Sequence, residues 1–326
     1  MMANVQVKEP QYADQNSCQF CKLPRELRDQ IYQCLFSSTK FMFGECYGET
    51  MKTQPAPCSL AILQTCRQIY NETRSMWLSE VLFSFEKPED LLDTLSAQPS
   101  TIVSQIRHLR VRGGSLQLRP RDDATSFWFG LSESLKLLPQ LRLDTLTILA
   151  TVYEEYAHDT LNCLLQHGHG WKELHYIASD SRVLAISKLN YDRRKAQSGD
   201  WQKTLLDRDG PQSGARVTMY RAKPNIHNSL EDASCEIFEE NLLDELQWNY
   251  FGIDYDQMLP QEAEKPKQVL VVAKRGRNAD ISLKGQFPFD RSDIRSYGMA
   301  WEDMRQYCVE SPCLGSTNGP RKATVE

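Results

Sequence analysis

The sequence predicts a mixed α/β fold, with an N-terminal helical module followed by an α/β body built on a mostly parallel sheet. Three observations carry this expectation. Near the start of the chain Leu27, Ile31 and Leu35 recur at four-residue intervals, the repeat of an amphipathic helix. Beyond residue 100, short apolar runs around Leu109, Ile148 and Leu174 alternate with longer helical stretches, the texture of parallel strands joined by helical crossovers. Further on, Val269-Leu270-Val271-Val272 is a continuous apolar run, as expected of a strand covered on both faces.

Taken in order, residues 1–17 are polar and aperiodic and read as a disordered lead-in, and residues 18–98 as the helical module. Pro24 suits the first helical position, where its missing N–H would be unpaired anyway. Glu26 follows in the first turn, complementing the helix dipole. Leu27, Ile31 and Leu35 form the apolar stripe, while Arg25, Arg28 and Asp29 point elsewhere. That stripe either packs on the second helix or docks on a partner, and periodicity alone does not separate the two. The second helix is expected from Ser59, with Ile62, Cys66, Ile69, Thr73 and Trp77 on one face. Val81 to Phe85 reads as a buried strand, and Lys87-Pro88-Glu89-Asp90 opens a helix carrying Leu91, Leu92 and Leu95.

Residues 99–310 form the predicted body. Its strands are expected at Ile106–Val111, closed by Gly113-Gly114, at Leu146–Leu149, at Trp171–Ile177, at Arg216–Tyr220 and at Val269–Val272. Helical stretches are expected from Phe127 to Leu138 and near residues 152–166. The tail from residue 311 has the composition of a disordered end.

Composition excludes several classes. The chain has 326 residues, 40% hydrophobic and 25% charged, an ordinary globular mix that argues against wholesale disorder. A net charge of −5 argues against bulk nucleic-acid binding. That figure is a balance of unlike parts, because residues 225–264 hold eleven acids and no Lys or Arg. No run reaches the roughly 18 consecutive apolar residues of a membrane helix, and the start lacks a signal-peptide pattern. These features predict an intracellular protein, cytoplasmic or nuclear. Its ten cysteines are then free thiols, most of them expected in the core.

Two linked motifs carry a resemblance. Phe20-x-x-Leu23-Pro24-x-Glu26-Leu27-Arg28-x-x-Ile31-Tyr32, followed by Leu63-x-x-Cys66-Arg67-x-Ile69-Tyr70-x-Glu72, resembles an F-box-like domain. More narrowly, it is similar to a large fungal group of proteins that share this leader ahead of a variable α/β body. The phrases Gly170 to Tyr176, Arg208-Asp209-Gly210 and Ile294 to Trp301 resemble that group more weakly. The resemblance implies docking on a Skp-type adaptor, which tethers an F-box protein to a cullin–RING ubiquitin ligase while the body selects a substrate protein. Leu23, Pro24, Leu27 and Ile31 would be the adaptor-facing residues of the first helix, and Leu63 and Cys66 those of the second. About twenty residues separate the two helices, where a typical F-box has a short turn.

Other constellations have blander readings. Cys18-x-x-Cys21 has the spacing of half a zinc site, but no second pair follows at finger-like spacing, and free thiols are the preferred reading. His167-Gly168-His169-Gly170 reads as the end of a helix, with a glycine in the left-handed cap position and both histidines in the loop. Lys274-Arg275-Gly276-Arg277 reads as a solvated turn at a strand end. Arg110 and Arg112 alternate along one strand beside His108 and, with Arg107, form a candidate partner surface, for an acidic partner or for the chain's own acidic segment. No G-x-S-x-G, G-x-G-x-x-G or P-loop pattern occurs, so no cofactor is assigned and the expected class is a non-enzymatic interaction protein. Two alternatives stay open: a scaffold or regulator whose leader helices are structural only, and an enzyme whose catalytic residues meet in space rather than in sequence.

Overall fold

The computed structural model describes residues 18–44, 59–119, 126–151, 154–179, 181–184, 198–222, 235–237, 267–283 and 293–308. Its strands are β1 (Lys40–Phe43), β2 (Leu82–Phe85), β3 (His108–Arg112), β4 (Leu116–Leu118), β5 (Phe127–Phe129), β6 (Leu143–Leu149), β7 (Trp171–Ala178), β8 (Arg216–Ala222), β9 (Cys235–Ile237) and β10 (Val269–Lys274). Eight of them form one mixed sheet in the order β1-β2-β3-β6-β7-β10-β8-β9, and β4 and β5 form a separate antiparallel hairpin. The run from β1 to β7 is parallel throughout, and β10, β8 and β9 complete the sheet antiparallel. The mixed α/β class is therefore as the sequence predicts.

The helices are α1 (Arg25–Ser37), α2 (Arg67–Thr73), α3 (Trp77–Glu80), α4 (Pro88–Leu95), α5 (Ser100–Val103), α6 (Leu131–Ser134), α7 (Glu154–His167), α8 (Ser198–Asp209) and α9 (Trp301–Arg305). Where local chemistry is strong, the elements form as expected. Pro88 opens α4 at its first turn, and Leu91, Leu92 and Leu95 are all buried. Leu109 and Val111 of β3 point into the core while His108, Arg110 and Arg112 take the other face. Gly170 has φ 75°, the left-handed conformation expected after α7. Gly168 is required for a different reason: a Cβ there would run into the Leu164 carbonyl oxygen.

Several expectations are corrected. Pro24 is the N-cap of α1 rather than its first residue, with φ −50° and ψ 146°. The second helix is not continuous but divides into a 3-10 helix (Ser59–Gln64), α2 and α3. The break falls at Cys66, which is extended (φ −157°, ψ 163°) and caps α2 by accepting the Ile69 N–H on its sulfur. Phe127 to Phe129 is a strand paired with β4, so the helix expected from Phe127 is only the short α6 and the 3-10 turn that follows it. The apolar run of β10 is central and largely buried, but antiparallel to both neighbours. Among the six cysteines whose side chains are described none is buried: Cys18, Cys34 and Cys163 are exposed, and Cys21, Cys66 and Cys308 are half-buried. The acidic segment 225–264, apart from the strand 235–237, and the ends 1–17 and 311–326 lie outside the described residues.

The core crosses the boundary at residue 98. One cluster of buried residues runs from Tyr32 and Phe36 to Trp301 and Met304. β1 and β2 pair parallel at the sheet edge, and Phe43 and Phe85 stack with centroids 4.8 Å apart. Such aromatic pairs add about 0.5–1.5 kcal/mol beyond their burial. At the other end of the chain, Trp301 Nε1 donates to Asp93 Oδ1 of α4 at 2.7 Å, and Arg305 pairs with the same carboxylate at 3.1 Å.

Candidate functional site

The face that the leader motif singles out is the outer side of α1. An i, i+4 pair on a helix occupies one face, and here two such rows divide the surface. Arg28, Tyr32 and Phe36 are the buried row. Leu27 and Ile31 lie on the other side and are 46% and 43% exposed, among the few large apolar side chains left in water. Leu35, further along that row, is half-buried against the core. The stripe that periodicity picked out is thus mainly the outward one.

What orients the helix this way is a buried ionic cluster that the sequence reading missed. Arg28 donates to both oxygens of Glu72 on α2, at 2.5 Å and 3.0 Å, and to the carbonyls of Cys21 and Leu23. Tyr32 Oη donates to Glu72 Oε2 at 2.8 Å, and Gln68 to Oε1 at 3.1 Å. The Arg28 bond, helped by those from Tyr32 and Gln68, outweighs burial and holds the Glu72 carboxyl down at about 2. Burial, followed by the hydrogen bond and charge of Glu72, raises the Tyr32 phenol. The sequence sets Arg28 apart from the apolar stripe, yet Arg28, Tyr32 and Phe36 repeat at the same spacing as Leu27, Ile31 and Leu35. An acid in the following helix, Glu72, is the available signal that the row holding Arg28 faces inward.

The six adaptor-facing residues implied by the resemblance divide into two groups. Pro24, Leu27 and Ile31 are exposed, and Leu23 beside them is half-buried. Leu63 and Cys66 are half-buried and pack against the core. The first helix therefore offers its side chains outward while the second spends its own on the fold.

The arginines of the candidate partner surface are engaged within the chain. Arg107 donates to the carbonyls of Ser104 and Arg142, both at 2.7 Å. Arg110 Nε donates to Ser84 Oγ at 2.9 Å, and Arg112 pairs with Glu86 at 3.1 Å. Among the described residues the acids beside this face are Glu86, paired with Arg112, and Asp144, 4.0 Å from Arg107.

A second polar cluster lies where α7, α8, β7 and the end of β10 meet. Arg275 is not a solvated turn residue. Its side chain is 4% exposed and pairs with Asp209, itself 1% exposed, at 2.6 Å. Asp209 also accepts the Gly276 N–H at 2.9 Å. Burial alone would raise the Asp209 carboxyl, but the bonds from Arg275 and Gly276 override it and hold it below the usual range. Arg208 donates to the carbonyls of Leu164, Leu165 and Gly168, capping the C-terminal end of α7. Arg275 and Arg208 lie 5.3 Å and 6.0 Å from the ring of the fully buried Trp171. The segments around Trp171 and Arg208-Asp209-Gly210 thus meet in one place.

His167 is the last residue of α7, not a loop residue, whereas His169 does lie in the connection to β7. Burial, with the positive charges of Arg208, Lys136, Arg295 and Arg275 behind it, pushes the His169 imidazole down to about 4. His169 is therefore expected to be neutral at pH 7, and its ring protons should titrate near pH 4 by NMR instead of near 6.5. Since the folded value is depressed, stability from the neutral ring is full above about 6.5 and falls as pH drops toward 4.

Among the described residues, no group of three His, Cys, Asp or Glu side chains is placed to hold a metal ion, and no helix is long and apolar enough to cross a membrane. Comparison of the chain with protein-family models, with curated proteins and with solved structures finds no match.

Proposed function

We propose that this chain is a non-enzymatic interaction protein that docks on a Skp-type adaptor through the outer face of α1, as the substrate-recognition subunit of a cullin–RING ubiquitin ligase. The observation that carries the reading is the pair Leu27 and Ile31, exposed one turn apart on a helix whose adjacent row is fixed by the bonds of Arg28 and Tyr32 to Glu72. An aliphatic row on a rigid helix is the material of helix-in-groove recognition. Full burial of such a side chain contributes about 1.5–3 kcal/mol, and with 46% and 43% still exposed the two together have about that much left to gain on docking. The leader resemblance supplies the identity of the partner, and the rest of the fold would present the surface for a substrate protein. Such a role belongs in the cytoplasm or the nucleus.

The test is Leu27→Asp with Ile31→Asp in the full chain, titrated with purified adaptor. Both side chains are in water, so stability should change by no more than about 0.5 kcal/mol per substitution. Affinity should fall on the order of 100-fold or more, the range of a lost binding centre. No binding by the wild-type chain would end this reading.

A second reading is favoured by one feature. β1 and β2 belong to the same sheet as the body, so the leader is built into the α/β unit and need not be a detachable docking module. On that reading the chain is a scaffold or regulator without ligase association, and wild-type protein would ignore the adaptor.

A further inference from the structure

We propose that Cys18 and Cys21 form a redox-active dithiol that undergoes thiol–disulfide exchange with small disulfides, with Cys66 as a third thiol beside them. The spacing is that of a C-x-x-C pair, and the backbone between the two residues is wound to suit it. Gln19 is helical (φ −62°, ψ −35°), and the Lys22 and Leu23 N–H groups donate to the Gln19 and Phe20 carbonyls at 3.1 Å and 3.2 Å. In a 3-10 winding, residues three apart eclipse one another. Cys21 lies in the 3-10 turn Phe20–Lys22 and Cys18 just before its N-cap Gln19, and a turn of this kind keeps Cα atoms three residues apart under about 7 Å, the reach of a disulfide. The Cys21 thiol is close enough to Cys18 and Cys66 for both to act on its ionisation.

The two thiols differ in the way exchange requires. Cys18 is exposed, and the Cys21 backbone N–H, then the Cys21 thiol and the Phe20 N–H, favour its thiolate and lower its pKa. Cys21 is half-buried, and burial with the neighbouring Cys18 and Cys66 pushes it up to about 11. Cys18 is accordingly the attacking group and Cys21 the resolving one.

The Cys18 thiolate attacks one sulfur of a small disulfide and expels one thiolate. Cys21 loses its proton, attacks the Cys18 sulfur of the mixed disulfide and expels the second. The dithiol gives up two electrons and two protons, and the small disulfide becomes two thiols. The position gives this chemistry structural reach. Phe20, between the two cysteines, lies edge-on to Tyr32 at 5.7 Å, the Cys21 carbonyl accepts from Arg28 at 3.3 Å, and Cys66 caps α2. None of this depends on adaptor docking.

The experiment uses the full chain and oxidised glutathione as probe. At pH 7, iodoacetamide should label Cys18 at least about ten-fold faster than the exposed Cys34, reflecting its greater thiolate fraction. Raising the proportion of oxidised glutathione stepwise, with trapping and mass spectrometry, should yield a Cys18–Cys21 disulfide before any other thiol pair is oxidised. Cys21→Ser should stop the reaction at Cys18 joined to glutathione. The proposal is overturned if Cys18 labels no faster than Cys34 in the wild-type chain. It is equally overturned if the first disulfide formed joins Cys21 to Cys66 or leaves Cys18 and Cys21 as thiols.

Discussion

Replacing Glu72 by Ala is expected to destabilise the protein by about 3–5 kcal/mol, because it strands the Arg28 guanidinium inside the fold. Both side chains are only 8% exposed, and Glu72 also accepts from Tyr32 and Gln68, so one substitution leaves three donors short of an acceptor. Arg28 keeps its bonds to the Cys21 and Leu23 carbonyls, which argues for the lower half of that range. Urea unfolding at pH 7 reads the loss directly. The wild-type protein should show the same dependence through pH. Glu72 is lowered from 4.5 to about 2, so the stability it contributes is present above about pH 4.5 and is lost as the pH falls toward 2. Wild type and the Ala variant should therefore converge in stability as the solution is acidified. A variant within about 1 kcal/mol of wild type at pH 7 would mean that the ionic cluster does not anchor α1.

Asp209→Ala should have an effect of similar size, again about 3–5 kcal/mol, in the body of the protein. Arg275 is nearly solvent-free, and among the described residues its Nη1 already has no hydrogen-bond partner, so it has little left once the carboxylate is gone. The Gly276 N–H loses its acceptor as well. Removing both charges together should cost much less than the two single losses combined. In a double-mutant cycle, Asp209→Ala with Arg275→Met should therefore reveal a coupling of at least about 1 kcal/mol, the signature of residues in one network. Additive effects would show that the pair is incidental.

Legibility in the sequence followed the strength of the local signal. α4 could be read because a proline opens it and three leucines fall on one side. β7 and β10 could be read because their apolar residues are dense. Strand direction could not, since nothing in Val269 to Val272 encodes that β10 runs against its neighbours. β5 reads as helix in the sequence because Phe127-Trp128-Phe129 leads straight into the turn of α6, and a short aromatic run fits either period. α8, with few apolar residues, and β1, only four residues long, gave too little pattern to find. At the candidate site, the i, i+4 repeat of Leu27, Ile31 and Leu35 was visible, but not which way it faces. A charged residue is expected outside, and Arg28 is inside because Glu72, 44 residues away, neutralises it. Such partners are fixed by tertiary contact and leave no mark in local periodicity.

Docking through the outer face of α1 is tested most directly by titrating purified Skp-type adaptor into the full chain and into the Leu27→Asp, Ile31→Asp variant side by side. Saturable binding by the wild-type protein is predicted, together with its loss in a variant that unfolds at an unchanged denaturant concentration. Absence of binding by the wild-type chain, or equal affinity for both proteins, would contradict it.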